Sequence, residues 1–188
     1  MTRTLTILGS TGSIGTNTLD VVRRNRDRYS VHALVAGNNT GLLAEQIVEF
    51  RPRVAVVADG EVADILRESL QVSGLARADW PEIAWGDRAR VAAATAAEAD
   101  FVISAIVGVV GLKATYEAVR ARKTVGLANK EVLVASGKLV MEAAREAEVE
   151  ILPVDWLSFS VSSTMVGAKR FELGYLSPLL VTTFVQNL

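Results

Sequence analysis

Four short stretches bring together residue types that can bind a nucleotide and an anionic substrate. The first is Gly9-Ser10-Thr11-Gly12-Ser13-Ile14-Gly15, with glycines three apart between an apolar run and a helical pattern. A strand running into a turn, followed by a helix whose first N–H groups lack partners, presents a positive dipole end to a phosphate. Glycine in the turn lets the main chain come close to the ligand, and Gly15 lets the helix pack close to the strand. The spacing is G-x-x-G-x-x-G rather than the usual dinucleotide G-x-G-x-x-G, so an ordinary glycine-rich turn stays open as an alternative.

The second stretch, Gly37-Asn38-Asn39, follows the next strand, where dinucleotide folds meet the adenosine ribose. An acid is usual there for NAD and would repel a 2′-phosphate, so its absence permits NADP; equally, the asparagines suit a turn and a helix cap. The third, Asn129-Lys130-Glu131, offers an amide, an ammonium and a carboxylate. The lysine could pair with an anionic substrate or polarise an oxygen, and its neighbours could orient a cofactor by hydrogen bonding, but an exposed charged turn has the same composition. The fourth is Asp155 after Pro153-Val154; one carboxylate is a poor metal site, and a capping role is open. His32, the single histidine, falls inside a strand and reads as structural.

Alternating apolar strands and amphipathic helices position these stretches. Strands are predicted at 4–8, 29–36, 54–58, 101–105, 124–128 and 150–154. Helices are predicted from Ser13, over 40–50 with Leu43, Ile47 and Phe50 inward, after 58 with Val62, Ile65, Leu66 and Leu70 on one face, over 87–97, around Leu112, Tyr116 and Val119, and over 136–148. Pro52 marks one helix stop, and residues 83–85 form at most a short extension. This alternation predicts an α/β fold: a doubly wound, mostly parallel, Rossmann-like sheet with helices on both faces and ligands at the carboxyl ends of its strands. All four stretches fall on that edge.

Composition narrows the function classes. The chain has 188 residues, 50% of them hydrophobic, a net charge of −1 and no cysteine. A packed core is affordable, whereas disulfides, thiolate metal sites and thiol catalysis are excluded. Balanced charge gives no reason to expect nucleic-acid or membrane binding. With a strand beginning almost at once and no apolar stretch long enough to span a bilayer, a cytoplasmic address is expected.

These motifs, in order and in spacing over residues 4–155, resemble the 1-deoxy-D-xylulose 5-phosphate reductoisomerase family. The likeness rests on 5–15 with Thr18-Leu19-Asp20-Val21-Val22, on Ala33-Leu34-Val35-Ala36-Gly37, on Ala105-Ile106-Val107-Gly108, on Leu127-Ala128-Asn129-Lys130-Glu131, and on Leu152-Pro153-Val154-Asp155. The resemblance implies NADPH as hydride donor and a divalent cation, Mg²⁺ or Mn²⁺, in the conversion of 1-deoxy-D-xylulose 5-phosphate to 2-C-methyl-D-erythritol 4-phosphate, the committed step of the non-mevalonate isoprenoid pathway. It implies that Thr11, Gly12, Ser13 and Ile14 bind the cofactor phosphates and that Gly37, Asn38 and Asn39 surround the adenosine ribose and its 2′-phosphate. Asn129 and Glu131 would contact the cofactor, Lys130 the substrate and Asp155 the metal; the family is homodimeric.

After Asp155 the family continues Ser-Glu-His, whereas this sequence has Trp156-Leu157-Ser158, and Leu157 cannot coordinate a cation. The expected organisation is an NADPH-binding domain at 1–155 and an unmatched hydrophobic tail at 156–188 in place of the catalytic domain, as a changed reading frame or a truncation would produce. Such a chain is expected to be inactive by itself. Two other readings share features with it: a non-catalytic nucleotide-binding or interaction module docking through its tail, and another NADP-dependent dehydrogenase of aspartate-semialdehyde or homoserine type, which leaves 128–131 and 153–155 unexplained together.

Overall fold

The computed structural model describes residues 2–128 and 130–154, the side chains of 130–135 and 153 excepted. The chain order is β1 (Arg3–Leu8), α1 (Ser13–Arg24), β2 (Tyr29–Val35), α2 (Thr40–Phe50), β3 (Val54–Val57), α3 (Gly60–Val72), β4 (Glu82–Trp85), α4 (Gly86–Thr95), β5 (Phe101–Ser104), α5 (Leu112–Arg120), β6 (Thr124–Leu127), α6 (Lys130–Ala147) and β7 (Ile151–Pro153). The strands form one sheet in the order β4-β3-β2-β1-β5-β6-β7, and every neighbouring pair is parallel. The chain builds outward from β1 to β4, crosses back to β5, and then builds the other way. The reversal falls between β1 and β5, the point at which sheets of this kind gather ligands above the carboxyl ends of their strands.

Side-chain alternation along the strands sorts the core into two layers. Leu5 and Ile7 of β1, Ala55 and Val57 of β3 and Phe101 and Ile103 of β5 pack with Leu19 and Val22 of α1, Leu43 and Ile47 of α2 and Leu66 and Leu70 of α3. Leu8, Ala33, Val35, Val56 and Val102 face the other way, onto Ala93 and Ala94 of α4, Ala114 and Ala118 of α5 and Ala143 and Ala144 of α6. Alanines on that second face let its helices lie close to the sheet. Thr6 of β1 is fully buried and donates to the Ala93 carbonyl at 3.0 Å, so its burial leaves no unpaired hydroxyl.

Helix ends follow their capping chemistry. Asp59 accepts from Val62 N–H at 3.0 Å at the start of α3. Arg51 ends α2 in the left-handed region, φ 49°, with its N–H on the Ile47 carbonyl, one residue before the Pro52 stop. Arg23 and Arg26 lie over the Phe50 ring at 5.4 and 5.5 Å, and both reach Glu49, clasping α1 to α2.

Three expectations change. Residues 83–85 belong to a complete parallel strand, β4, paired with β3 from Val54↔Glu82 to Val57↔Trp85. Among the described residues the sheet therefore has seven strands rather than six; an outer strand, half-exposed along its length, lacks the apolar run that marks a central one. Ile65 is 46% exposed, because Leu66 and Leu70 already fill the face of α3 that meets the sheet. Finally, α6 joins two helices across Ser136, whose φ −151° and ψ 25° are not helical: the helix expected from Ser136 is its second part, and a further segment from Lys130 precedes it.

Candidate functional site

The sheet's hydrogen-bond ladder continues one step past each strand and sets the loops at one level. Ala36 N–H donates to Val56 O at 2.8 Å, Ala105 N–H to Leu8 O at 2.8 Å, Ala128 N–H to Ser104 O at 2.9 Å and Val154 N–H to Leu127 O at 2.9 Å. The glycine loop is held the same way, by Gly9 and Ser10 N–H groups that share the Val35 carbonyl at 2.8 and 2.9 Å. Five loop origins thus line one edge from β2 to β7, a span of about 19 Å at ordinary strand spacing.

Two glycines of the loop are dictated by the protein itself. Gly9 has φ +90°, and a Cβ there would stand 2.6 Å from the Ala105 carbonyl oxygen. A Cβ on Gly15 would stand 2.3 Å from the Gly9 carbonyl oxygen and 2.6 Å from the Ser10 Cα. Gly15 therefore seats α1 on the loop, as the spacing implied, though its contact is the turn rather than the strand. Gly12 is different: its φ is −79°, and its nearest Cβ neighbour is an ordinary 3.4 Å away. The fold itself does not require glycine there, whereas a ligand lying against the backbone would.

This loop exposes donors. Gly12 N–H bonds Gly9 O at 3.1 Å, and the first bond of α1 runs from Thr16 N–H to Gly12 O. Ser13 and Ile14 N–H groups precede that bond and have no acceptor among the described residues. Nothing blunts the dipole either: Gly12 provides no capping side chain, and the first turn of α1 contains no acid, in contrast to Glu61 in α3 and Asp87 in α4. Thr11 and Ile14 are partly buried, and Gly12 and Ser13 exposed. The cradle is thus open to solvent and poised for an anion.

One strand away, Gly37, Asn38 and Asn39 are all exposed. Asn39 accepts from Leu42 N–H at 3.3 Å as the cap of α2, which realises the capping alternative for that side chain. Asn38 uses its carbonyl on Thr40 N–H at 2.9 Å and keeps its amide free among the described residues. Gly37 has open space where a Cβ would be, so this position too is left small for no reason internal to the fold. After β5, Val107, Val109 and Val110 are 83%, 63% and 54% exposed.

The remaining sequence candidates are placed only in part. Lys130 and Glu131 open α6, directly after the edge residue Ala128; their side chains, with Asn129 and Asp155, lie outside the described residues. Among the described residues no group of three or more His, Cys, Asp or Glu side chains gathers as a metal site, and no helix is long and apolar enough to cross a membrane. His32 is 6% exposed at the level where its carbonyl takes Arg53 N–H, away from the loop edge. Burial pushes its pKa below the ordinary 6.5, with Arg53 and Lys123 acting in the same sense and Glu98 against it.

Sequence reasoning missed one residue here. Gln46 of α2 is buried, and its Nε2 donates to the Ser10 carbonyl at 2.9 Å. In sequence it is a polar position of an amphipathic helix, indistinguishable from a solvent-facing one.

Comparison with known proteins adds an independent line. The family model described as 1-deoxy-D-xylulose 5-phosphate reductoisomerase matches residues 5–137. A curated relative of that name from Solibacter usitatus is 64% identical over 153 residues, covering 81% of this chain and 38% of the relative. Another from Prosthecochloris aestuarii is 48% identical over 171 residues, 91% of this chain and 43% of the relative. The chain spans about two fifths of the length of these relatives. Among solved structures, the Zymomonas mobilis reductoisomerase in complex with NADPH matches with a TM-score of 0.74 and 46% identity, over 82% of this chain and 39% of that one. A reductoisomerase in complex with NADPH, fosmidomycin and magnesium matches with a TM-score of 0.73 and 36% identity, over 80% of this chain and 36% of that one.

Proposed function

Because the chain belongs to the 1-deoxy-D-xylulose 5-phosphate reductoisomerase family, we propose that its first 155 residues are an NADPH-binding domain, with the pyrophosphate on Thr11, Gly12, Ser13 and Ile14. The observation that carries this reading is the pair of unpartnered N–H groups at Ser13 and Ile14 beside a glycine, Gly12, that the fold does not require. Gly37, Asn38 and Asn39 surround the adenosine ribose and its 2′-phosphate; with a neutral Asn38 they permit NADP by the absence of an acid, without an arginine clamp at this turn. NADPH bound there supplies hydride. Asn129 and Glu131 orient the cofactor by hydrogen bonding, and Lys130 pairs with the anionic substrate.

The activity proposed for the complete enzyme is the NADPH- and Mg²⁺- or Mn²⁺-dependent conversion of 1-deoxy-D-xylulose 5-phosphate to 2-C-methyl-D-erythritol 4-phosphate, in the cytoplasm. Asp155 contributes one carboxylate toward the cation. One carboxylate is a poor site for either ion, which takes about six oxygen ligands, and Leu157 adds none, so no catalytic step is assigned to a metal held by these 188 residues. The chain therefore binds NADPH without turning over substrate. Fluorescence titration with NADPH tests the first half: saturable binding is expected, and its absence overturns the reading. Incubation with 1-deoxy-D-xylulose 5-phosphate, NADPH and Mn²⁺ tests the second: consumption of NADPH, followed by its absorbance, would show the chain to be a competent catalyst and overturn the inactivity.

A further inference from the structure

Gln46 and Ser10 carry an unfinished contact. They lie 36 residues apart, and their one hydrogen bond, Gln46 Nε2–H to the Ser10 carbonyl at 2.9 Å, is buried. Ser10 Oγ and Gln46 Oε1 are also buried, and neither has a partner among the described residues. One is a hydroxyl donor and the other an amide acceptor, on residues already joined by a bond. Buried polar atoms are nearly always paired, so two complementary orphans on one pair of residues mark a bond left open in this state of the loop.

The position of the two residues gives that bond a use. Ser10 lies between Gly9, fixed to β2 and pressed against Ala105, and Thr11, where the exposed cradle begins. Gln46 stands two turns into α2, the helix that starts at the Asn39 cap, immediately behind Gly37 and Asn38. A link between them ties the phosphate loop to the element carrying the ribose turn. We propose that Gln46 is a positioning residue for the dinucleotide. It holds the Ser10 carbonyl so that the Ser13 and Ile14 N–H groups face the pyrophosphate, and seating of the cofactor closes the second bond, Ser10 Oγ–H to Gln46 Oε1. The inference rests on the NADPH reading of the cradle and deepens it by assigning a residue that touches no part of the cofactor.

The test uses the 188-residue chain, NADPH, and 2′-AMP as a probe that reaches the ribose turn but not the cradle. Gln46→Met keeps the side-chain volume and removes the donor and the orphaned acceptor together; the Ser10 carbonyl loses its partner, so circular dichroism first establishes that the variant is folded. Its expected effect is about a tenfold loss of NADPH affinity, with 2′-AMP affinity unchanged. Ser10→Ala keeps the existing bond and removes only the second; a loss of about threefold is expected, absent in the Gln46→Met background because both changes break the same link. Unchanged NADPH affinity in Gln46→Met overturns the proposal, as does an equal loss for both ligands, which would make Gln46 a general support of α2. A parent chain that binds 2′-AMP but not NADPH overturns the cradle reading itself, an outcome distinguishable from failure of the Gln46 link.

Discussion

Alanine at position 15 tests how tightly the first helix is seated on the glycine loop. A Cβ there stands 2.3 Å from the Gly9 carbonyl oxygen and 2.6 Å from both the Cα and the carbonyl oxygen of Ser10. All three are main-chain atoms of a turn that Val35 holds through two hydrogen bonds, so none can swing aside as a side-chain tip would. Overpacking costs about 1–3 kcal/mol, and collisions with three backbone atoms put this one near the top of that range, about 3 kcal/mol. Exchanging glycine for alanine in a helix returns about 1 kcal/mol. The net expectation is a loss of about 2 kcal/mol, or about 4–8 °C in Tm for a chain of this size. Gly41→Ala is the control, since nothing lies within 4 Å of a Cβ there; it should gain up to about 1 kcal/mol. Urea unfolding followed by circular dichroism, with thermal melts alongside, measures both. A Gly15→Ala chain as stable as its parent, or a Gly41→Ala chain that loses as much, would refute the claim that loop contact decides the cost.

Two further outcomes are expected. Gly12→Ser separates stability from binding: serine is a strong N-cap and α1 has no side-chain cap now, so stability should hold or rise by a few tenths of a kcal/mol, about the difference between serine and glycine caps. The new hydroxyl would occupy donors meant for phosphate, so NADPH affinity should fall in the same fluorescence titration; unimpaired binding would place the phosphates elsewhere. His32 makes stability pH-dependent in one direction. Its folded pKa lies below the ordinary 6.5, so the unfolded chain binds its proton first; the contribution is full above about pH 6.5 and is lost progressively as pH falls through the lowered native value. Urea midpoints between pH 7.5 and 5 should decline for the parent and less for His32→Gln, and identical slopes would remove His32 as the cause.

The level arrangement of the loops explains why a cofactor domain can be read from scattered motifs. Each motif is the first residue or two beyond a strand, and the ladder bonds at Ala36, Ser10, Ala105, Ala128 and Val154 bring those residues to one rim. A one-residue slip of any strand would turn its apolar set to the wrong face, so the same burial that builds the core also fixes the height of each loop.

By itself, the sequence determined the elements with strong periodicity and the chemistry carried by residue type. The apolar runs of β1, β2, β3, β5 and β6, the caps and stops around α2, and the glycines at 9, 12 and 15 state their roles locally, because backbone conformation and burial pattern depend on near neighbours. It also carried the family likeness. Tertiary structure decided what depends on distant partners. β4 became a strand because β3 offered an open edge, not because Glu82–Trp85 is apolar, and Ile65 was left outside because Leu66 and Leu70 filled the contact. Tertiary structure also divided the three glycines, requiring 9 and 15 for close approach to Ala105 and the loop while leaving 12 open. Only packing could reveal Gln46, since hydrogen bonding across 36 residues leaves no periodic signature in the chain: the meaning of a polar side chain on a helix is set by which face the sheet covers.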